Sequence, residues 1–568
     1  MRLQAEPTST RISKATLIAG AIAIAFASSA AQAQVMKPYF EFKKPSMIKI
    51  DGDLSLDTNG ASLPVTNVGP VLLGFEGVSQ YDGATFARNF IPPDTIGAVG
   101  RTQYVETTNG AYAVFDKATG ARQSLVSDVA FWAAAGQAGA NGDTRVMYNA
   151  AASRWVMVAF GANTKDLQIA ISDTDNALGT WKSTKFEGYA GMGFGATADY
   201  PTLALDKNAV YIGTNNFAPA TSGGTNSFRG TTMNVIPLDS LFNVGGPTTA
   251  NMKQIVTPYT SGSLTNADNG WAVQGVNSSS AGTTGKVVGA SLMVYDNVGY
   301  KVNNLTSASA VGASAGPTIL TGAAAFTTAG AARQPSVAIA ANQRVVDALD
   351  ERISSSAYEA QGRIYMVSTV NSGADTLDEA RVRYTILDSN TFAILSEGDI
   401  GQAGYDYYQG SIAVNADGQV VIGYNRSGLD PATGKITFMA RTFNTAANGS
   451  LLSTSGEIVL KESLTDDYHN GSVFGLASVG RQRWGDYSQV SVDPEDSTKF
   501  WVVGEFAREY NNAAGGHPGG TGGSRWGTWI AEIGVSAVPE PSTYLMMALG
   551  MGAVGFMARR RKGAALDA

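Results

Sequence analysis

Between residues 90 and 535 the chain repeats one local grammar: a turn with Asp or Gly, an alternating strand, a short turn and a second strand. The stretch 99–120, VGRTQYVETTNGAYAVFDKATG, sets two alternating runs on either side of Asn109-Gly110. Asn-Gly favours a two-residue hairpin turn, whose central positions both need positive φ. Related stretches occupy 143–160, 199–217, 270–296, 352–370, 409–425 and 483–506. That makes about seven units, spaced roughly 45–80 residues apart, a period nearer to propeller blades than to a solenoid. No helical period of useful length competes with it. Gly is abundant, at 66 residues, and is scattered rather than gathered in a linker, as many tight turns require. A hydrophobic fraction of 44 % is enough for a large core.

The reading is therefore all-β: a β-propeller of about six to eight blades over residues 90–535, preceded by an extended arm over 34–89. A pair of β-sandwiches or a β-helix are the alternatives. The wider spacings fit insertions such as the Ser/Gly/Thr-rich segments near 218–232 and 303–333. The segments PPDTIGAVGRTQYVETTNGAYAVFDKATG, DTRVMYNAAASRWVMVAFG, DYPTLALDKNAVYIGTNNF and RWGDYSQVSVDPEDSTKFWVVGEFA resemble strands and turns of bacterial secreted propellers of the sialidase-like, WD-like type. The resemblance spans most of 90–535. It implies a scaffold, and a scaffold does not specify an activity.

The two ends carry signals of another kind. Arg11 and Lys14 precede an apolar run over 15–27, followed by Ser28-Ser29-Ala30-Ala31-Gln32-Ala33. Ala31 and Ala33 are small enough for signal peptidase, so residues 1–33 are expected to be a signal peptide cleaved after Ala33. The run is short for a membrane anchor, which is the alternative. At the other end, Val538-Pro539-Glu540-Pro541 leads into an apolar stretch over 544–558 and then Arg559-Arg560-Arg561-Lys562. This order predicts a short transmembrane helix over 544–558, held with its basic cluster inside and the body outside. Gly550, Gly552 and Gly555 suit it to transient anchoring. Motif, apolar run and basic stop together resemble the PEP-CTERM sorting signal, here over 536–568. The resemblance implies processing by an exosortase at Pro539-Glu540-Pro541. It also implies delivery to the cell envelope, the surface or the extracellular matrix of a Gram-negative bacterium. An ordinary single-span tail anchor is the alternative.

Composition removes several functions. With no cysteine there are no disulfides, thiolate metal sites or cysteine nucleophiles. Without residues 1–33 and 539–568 the body holds 33 basic and 44 acidic residues, a net of −11, and no basic stripe crosses it. Nucleic acid would be repelled. His469 and His517 are the only histidines and form no HxxxH or HExxH pattern, so no transition-metal site is expected. Calcium is the one cofactor candidate, through the oxygen-rich runs 51–57 and 172–176, neither of which follows an EF-hand.

Catalysis of the sialidase kind, as the resemblance implies it, needs three arginines around a carboxylate, a Tyr–Glu nucleophile and an Asp acid. Arg145, Arg333, Arg352, Arg441 and Arg483 stand near strand starts, and Asp486 and Glu505 fall in the last unit. The arginine-bearing motif that opens the usual sialidase domain is absent, so blade-stapling ion pairs are expected and no catalytic residue is assigned. The run 172–181, SDTDNALGTW, resembles a stretched Asp-box, whose Asp accepts turn N–H groups while its Trp fills the blade. Most of the eight tryptophans are expected in blade cores, with Trp132 and Trp271 the candidates for a sugar-stacking surface. The expected function is a non-enzymatic surface propeller that binds extracellular polysaccharide or an envelope protein. The alternatives are a sialidase-like glycoside hydrolase or a purely structural matrix protein.

Overall fold

The alternating segments pair with their sequence neighbours into antiparallel sheets, as short turns between strands demand. The computed structural model describes residues 48–49, 65–68 and 70–535, except 141, 164, 189–196, 219–227, 261–262, 265–269, 280–283, 292–296, 304–311, 314–317, 321–329, 336–343, 372–378, 469–479 and 511–523. The signal peptide with Ala31 and Ala33, the run 51–57, both histidines, the sorting motif at 538–541, the apolar run 544–558 and the basic cluster at 559–562 lie outside the described residues. Among the described residues, no helix is long and apolar enough to cross a membrane.

Among the described residues seven blades follow one another as in a propeller, blades 4 and 5 joined in one sheet. Blade 1 is Ile96–Val99, Gln103–Thr108, Ala111–Asp116 and Arg122–Ser127, and Asn109-Gly110 makes the turn expected of it, with Gly110 at φ 104°. Blade 2 is Arg145–Asn149, Arg154–Phe160, Asp166–Ser172 and Trp181–Glu187. In blade 3 the inner strand comes in two pieces, Thr197–Asp199 and Ala204–Leu205, both paired with Ala209–Phe217, and Phe228–Pro237 and Lys253–Thr260 follow. Blade 4 begins with Trp271–Ser278, blade 5 with Ala357–Ala360, blade 6 with Tyr405–Val414 and blade 7 with Gln489–Val492. The first strand of each blade lines the axis, and these inner strands share one direction. In blades 4 and 5 they pair in parallel, Val276 with Ala357 and Ser278 with Glu359. The axis thus has a mouth, where inner strands begin, and a far end, where they finish.

The ring closes across the length of the chain. Val71–Ser79 pairs antiparallel with Ser524–Gly534, so the start of the described body supplies an outer strand of the last blade, with Val65–Val68 beyond it. The arm expected over 34–89 is, over 65–68 and 71–79, part of that sheet. Val71, Leu73, Phe75 and Val78 are all buried there. Each such side chain stabilises the closed ring by about 1.5–3 kcal/mol. Phe75 sits 5.3 Å from Phe115 of blade 1 and 6.4 Å from Trp501 of blade 7, closing the seam with aromatic contacts. Glu106 of blade 1 reaches across the same seam and accepts from the Val78 N–H at 2.8 Å.

Among the described residues two small sheets depart from the blade pattern, one of them Ile48–Lys49 paired with Phe90–Ile91. Gly330–Ala332 and Val345–Leu349, inserted between blades 4 and 5, join Arg481–Gln482 from the approach to blade 7 in a three-stranded sheet. This small sheet braces two distant parts of the ring on the mouth side.

Candidate functional site: a charged axial mouth

The chain turns sharply into most inner strands. Asp94, Asp143, Tyr200, Ala272 and Gln409, at the entrances of blades 1, 2, 3, 4 and 6, all have φ between 47° and 53°. A non-glycine residue pays about 1–2 kcal/mol for that conformation, so tertiary contacts must hold it. At Asp94 they are visible. One carboxylate oxygen accepts from the backbone N–H of Asp486 at 2.7 Å, the other from Asn109 Nδ2 at 2.7 Å. Asn109 Oδ1 in turn accepts from the N–H of Asp143 at 2.8 Å. Asp94 and the Asn109 hairpin side chain of blade 1 thereby hold the entrance backbones of blades 7 and 2.

Three of the five arginines singled out in the sequence converge here. Arg483, 2 % exposed, stands 3.3 Å from Asp347 on the inserted sheet and 3.3 Å from Asp486. Arg352 makes a two-pronged pair with Asp350, both contacts at 2.7 Å, and lies 4.3 Å from the Tyr200 ring centre. Arg145 donates through Nε to the Pro201 carbonyl at 2.9 Å and stacks 3.5 Å from the Tyr487 ring. Among the described residues it is in no ion pair, and its buried Nη2 has no hydrogen-bond partner. The Tyr200 and Tyr487 rings meet at 4.9 Å, giving a layered arrangement of two guanidinium groups around two aromatics. Such cation–π contacts are worth about 0.5–2 kcal/mol each, more where water is excluded.

Burial sets the electrostatics. It pushes the Asp94 carboxyl well above the usual range, and the neighbouring Asp486 and Asp143 push it further. Asp347 is raised by burial against the pull of Arg481 and Arg483. Burial works to lower the Arg483 pKa, but the carboxylates of Asp486 and Asp347 outweigh it and the guanidinium stays charged. Burial pushes Tyr200 up to about 12. Beneath the mouth Glu505, fully buried, accepts from the Gly485 N–H at 3.0 Å, and burial drives its carboxyl up to about 8. Gln409 ties this layer together, donating to the Gly485 carbonyl and accepting from Trp484 Nε1 at 2.9 Å. What remains partly open to solvent at the mouth is a set of half-buried carboxylates, Asp143, Asp199 and Asp350.

The other two arginines lie elsewhere. Arg333 pairs with Glu379 at 2.9 Å and Asp406 at 2.7 Å, between the inserted sheet and blades 5 and 6. Arg441, on the outer strand Thr437–Thr445, faces Glu457 at 3.6 Å. Both are staples. Trp132 and Trp271, expected as surface platforms, are 1 % and 5 % exposed and belong to a blade core. The helix Asp128–Ala134 turns Trp132 inward against Phe131, and Trp271 packs on Phe228. In the Asp-box-like turn Trp181 does fill the core, donating to the Ala177 carbonyl at 3.0 Å. Asp173 pairs instead with Lys182 at 3.3 Å, and the turn N–H groups of Asn176 and Leu178 go to Thr174 and Asn176. Among the described residues no group of three or more His, Asp or Glu side chains is placed to hold a metal ion.

Sequence reading missed Asp94, Asn109, Tyr200, Asp347 and Gln409. A signal for some of them exists. Asp94-Thr95, Asp143-Thr144, Asp199-Tyr200, Asp406-Tyr407 and Asp486-Tyr487 repeat an Asp-Thr/Tyr pair at or just before the inner strands of five blades.

Residues 537–562 match the family model described as the PEP-CTERM protein-sorting motif. The motif marks an exported, cell-surface protein processed by an exosortase. No curated protein matches the sequence. Among solved structures, a protein of unknown function from Dyadobacter fermentans is 12 % identical, with 77 % of this chain and 94 % of that one covered at a TM-score of 0.32. The Dos1 propeller is 6 % identical over 77 % and 76 % of the two chains, at 0.34. The GH93 alpha-L-arabinofuranosidase of Fusarium graminearum is 10 % identical over 68 % and 91 %, at 0.34. These values are low, and the blade architecture stands on the strand pairing of this chain itself.

Proposed function

We propose that this exported propeller is a surface recognition module that binds a hydroxyl-rich glycan at its axial mouth without cleaving it. The observation that carries the reading is the pair of half-buried carboxylates Asp143 and Asp199 at the same mouth as the Arg145 guanidinium, which is stacked, buried and, among the described residues, in no ion pair. Carboxylates accept from sugar hydroxyls and a guanidinium donates to them, so the set offers both halves of a glycan's hydrogen bonding. Arg352 and Arg483 are already satisfied by Asp350, Asp347 and Asp486, which argues against a three-arginine clamp on a substrate carboxylate. Sorting is assigned to Val538, Pro539, Glu540 and Pro541 with the Arg559, Arg560, Arg561 and Lys562 stop. Export is assigned to cleavage by signal peptidase beside Ala31 and Ala33.

One observation favours a second reading, a glycoside hydrolase. Burial and the nearby Asp486 and Asp143 carboxylates raise the Asp94 carboxyl, and a raised acid with other carboxylates near it is a feature glycoside cleavage uses. Size-exclusion chromatography of the protein with extracellular polysaccharide from the producing bacterium separates the two. Co-elution at unchanged polymer size, lost in Asp143→Asn, supports recognition. A polymer that shrinks with time establishes the hydrolase instead.

A further inference from the structure

The path of the last blade fixes how the propeller stands on a membrane. Its inner strand Gln489–Val492 leaves the mouth, and Lys499–Tyr510 returns toward it. Ser524–Gly534 then runs back to the far end, with Tyr510 opposite Ser524 and Lys499 opposite Gly534. The described chain finishes there: the Val535 N–H donates to the Thr498 carbonyl at 2.8 Å, beside the turn that ends the inner strand. Neighbouring far-end turns meet at the same level, where Lys117 of blade 1 pairs with Asp493 at 2.7 Å. The sorting tail therefore departs from the far end, opposite the charged mouth.

Only residues 536–543 separate Val535 from the apolar stretch that begins at Tyr544. Eight residues span at most about 28 Å when fully extended, and Gly534 is locked in a sheet, so the tether is short compared with the body it holds. The far end also carries exposed apolar side chains away from blade 7. Val244, in the turn that ends the third strand of blade 3, is 95 % exposed, and Leu178 in the corresponding turn of blade 2 is 47 % exposed. Leu395 and Leu452 stand at the far-end starts of the outer strands of blades 5 and 6. The tail at blade 7 and these two apolar pairs lie at three places around the axis. Three supports define a plane.

We infer that, while the tail is in the lipid, the propeller rests with its far end against the bilayer and presents the Arg145–Tyr487 mouth outward. The partner of the far end is the membrane surface itself. This orientation rests on the sorting-tail reading and adds to it a direction that the tail alone does not dictate.

The absence of cysteine makes the test direct, because a single introduced thiol reports alone. Val244→Cys marks the far end and Leu429→Cys, 47 % exposed in wild type, marks the mouth end of blade 6. The full chain of each variant, made in a host without exosortase, is labelled with a donor dye and reconstituted into phosphatidylcholine vesicles carrying rhodamine-labelled lipid. An eleven-residue strand separates the two ends by about 37 Å, so energy transfer from Val244→Cys should exceed that from Leu429→Cys about twofold or more. Equal or reversed transfer in chains that float with the vesicles overturns the orientation and leaves the sorting tail standing. Failure to float overturns both.

Discussion

The two ends of the propeller are built from the same strands under opposite rules. At the far end many turns are closed locally, although the Lys117–Asp493 pair joins blades 1 and 7 there. Asp116 accepts from Thr119 N–H at 2.9 Å and Asp388 from Thr391 N–H at 2.8 Å, both three residues away and exposed to water. At the mouth local pairs such as Arg352–Asp350 are tied into contacts that are remote in sequence and buried: Asp94 and Asp486 are separated by 392 residues, Asp347 and Arg483 by 136. Local turns are independent and individually weak, whereas a buried charge network is coupled, because removing one member strands another in a low dielectric. The difference implies that the far end tolerates substitution and the mouth does not.

The largest expected effect is at the centre of the mouth. Arg483→Ala strips Asp486 of its guanidinium and leaves Asp347 with Arg481 alone, and should cost about 3–5 kcal/mol in urea denaturation. A loss no greater than that of a far-end turn variant would erase the contrast between the ends. Glu505 comes next, through pH. Below pH 4.5 its carboxyl is protonated in both the folded and unfolded chain. Between pH 4.5 and about 8 the unfolded carboxyl ionises while the folded one keeps its proton, so the folded state binds more protons and stability falls as pH rises. Glu505→Gln carries no such proton and should shrink the fall in stability between pH 5 and pH 8.5 by about 2–4 kcal/mol. An unchanged pH dependence would show that this carboxyl is already ionised in the fold.

Arg145→Lys sharpens the comparison differently. Lysine keeps the charge but loses the flat stack on Tyr487, so stability should fall by only about 1 kcal/mol. Glycan co-elution should nevertheless weaken markedly, and retained binding would move recognition away from Arg145. The far end should show a small loss of stability and no effect on binding. Asp388→Ala removes the acceptor for the Thr391 turn and should cost about 0.5–1.5 kcal/mol, with glycan binding unaltered.

The same division explains what was legible in the sequence. Far-end and hairpin features follow from residues a few positions apart, so the Asn109-Gly110 turn, the inward Trp181 and the repeated strand–turn–strand units could be read directly. The closing strand Val71–Ser79 could not, because its partner Ser524–Gly534 lies near the other end of the chain and alternation does not name a partner. The arginines show the same limit. Arg145, Arg352 and Arg483 meet at the mouth while Arg333 ties the inserted sheet to blades 5 and 6 and Arg441 pairs within blade 6, and all five stand beside strands with similar sequence surroundings. Trp132 was misjudged because Phe131 and Trp132 together form the buried side of a short helix that no long period announces. The repeated Asp-Thr/Tyr pair was the overlooked clue, since its residues adopt left-handed backbone at the entrances of several blades.

The central claim is that recognition occurs at the mouth. Hydrogen exchange of the full chain, with and without the extracellular polysaccharide of the producing bacterium, tests it without any substitution. Protection confined to 94–96, 143–145, 199–202, 350–353 and 483–488 is the predicted result. Protection of the far-end turns around residues 116–121 and 388–393, or no protection anywhere, would contradict it.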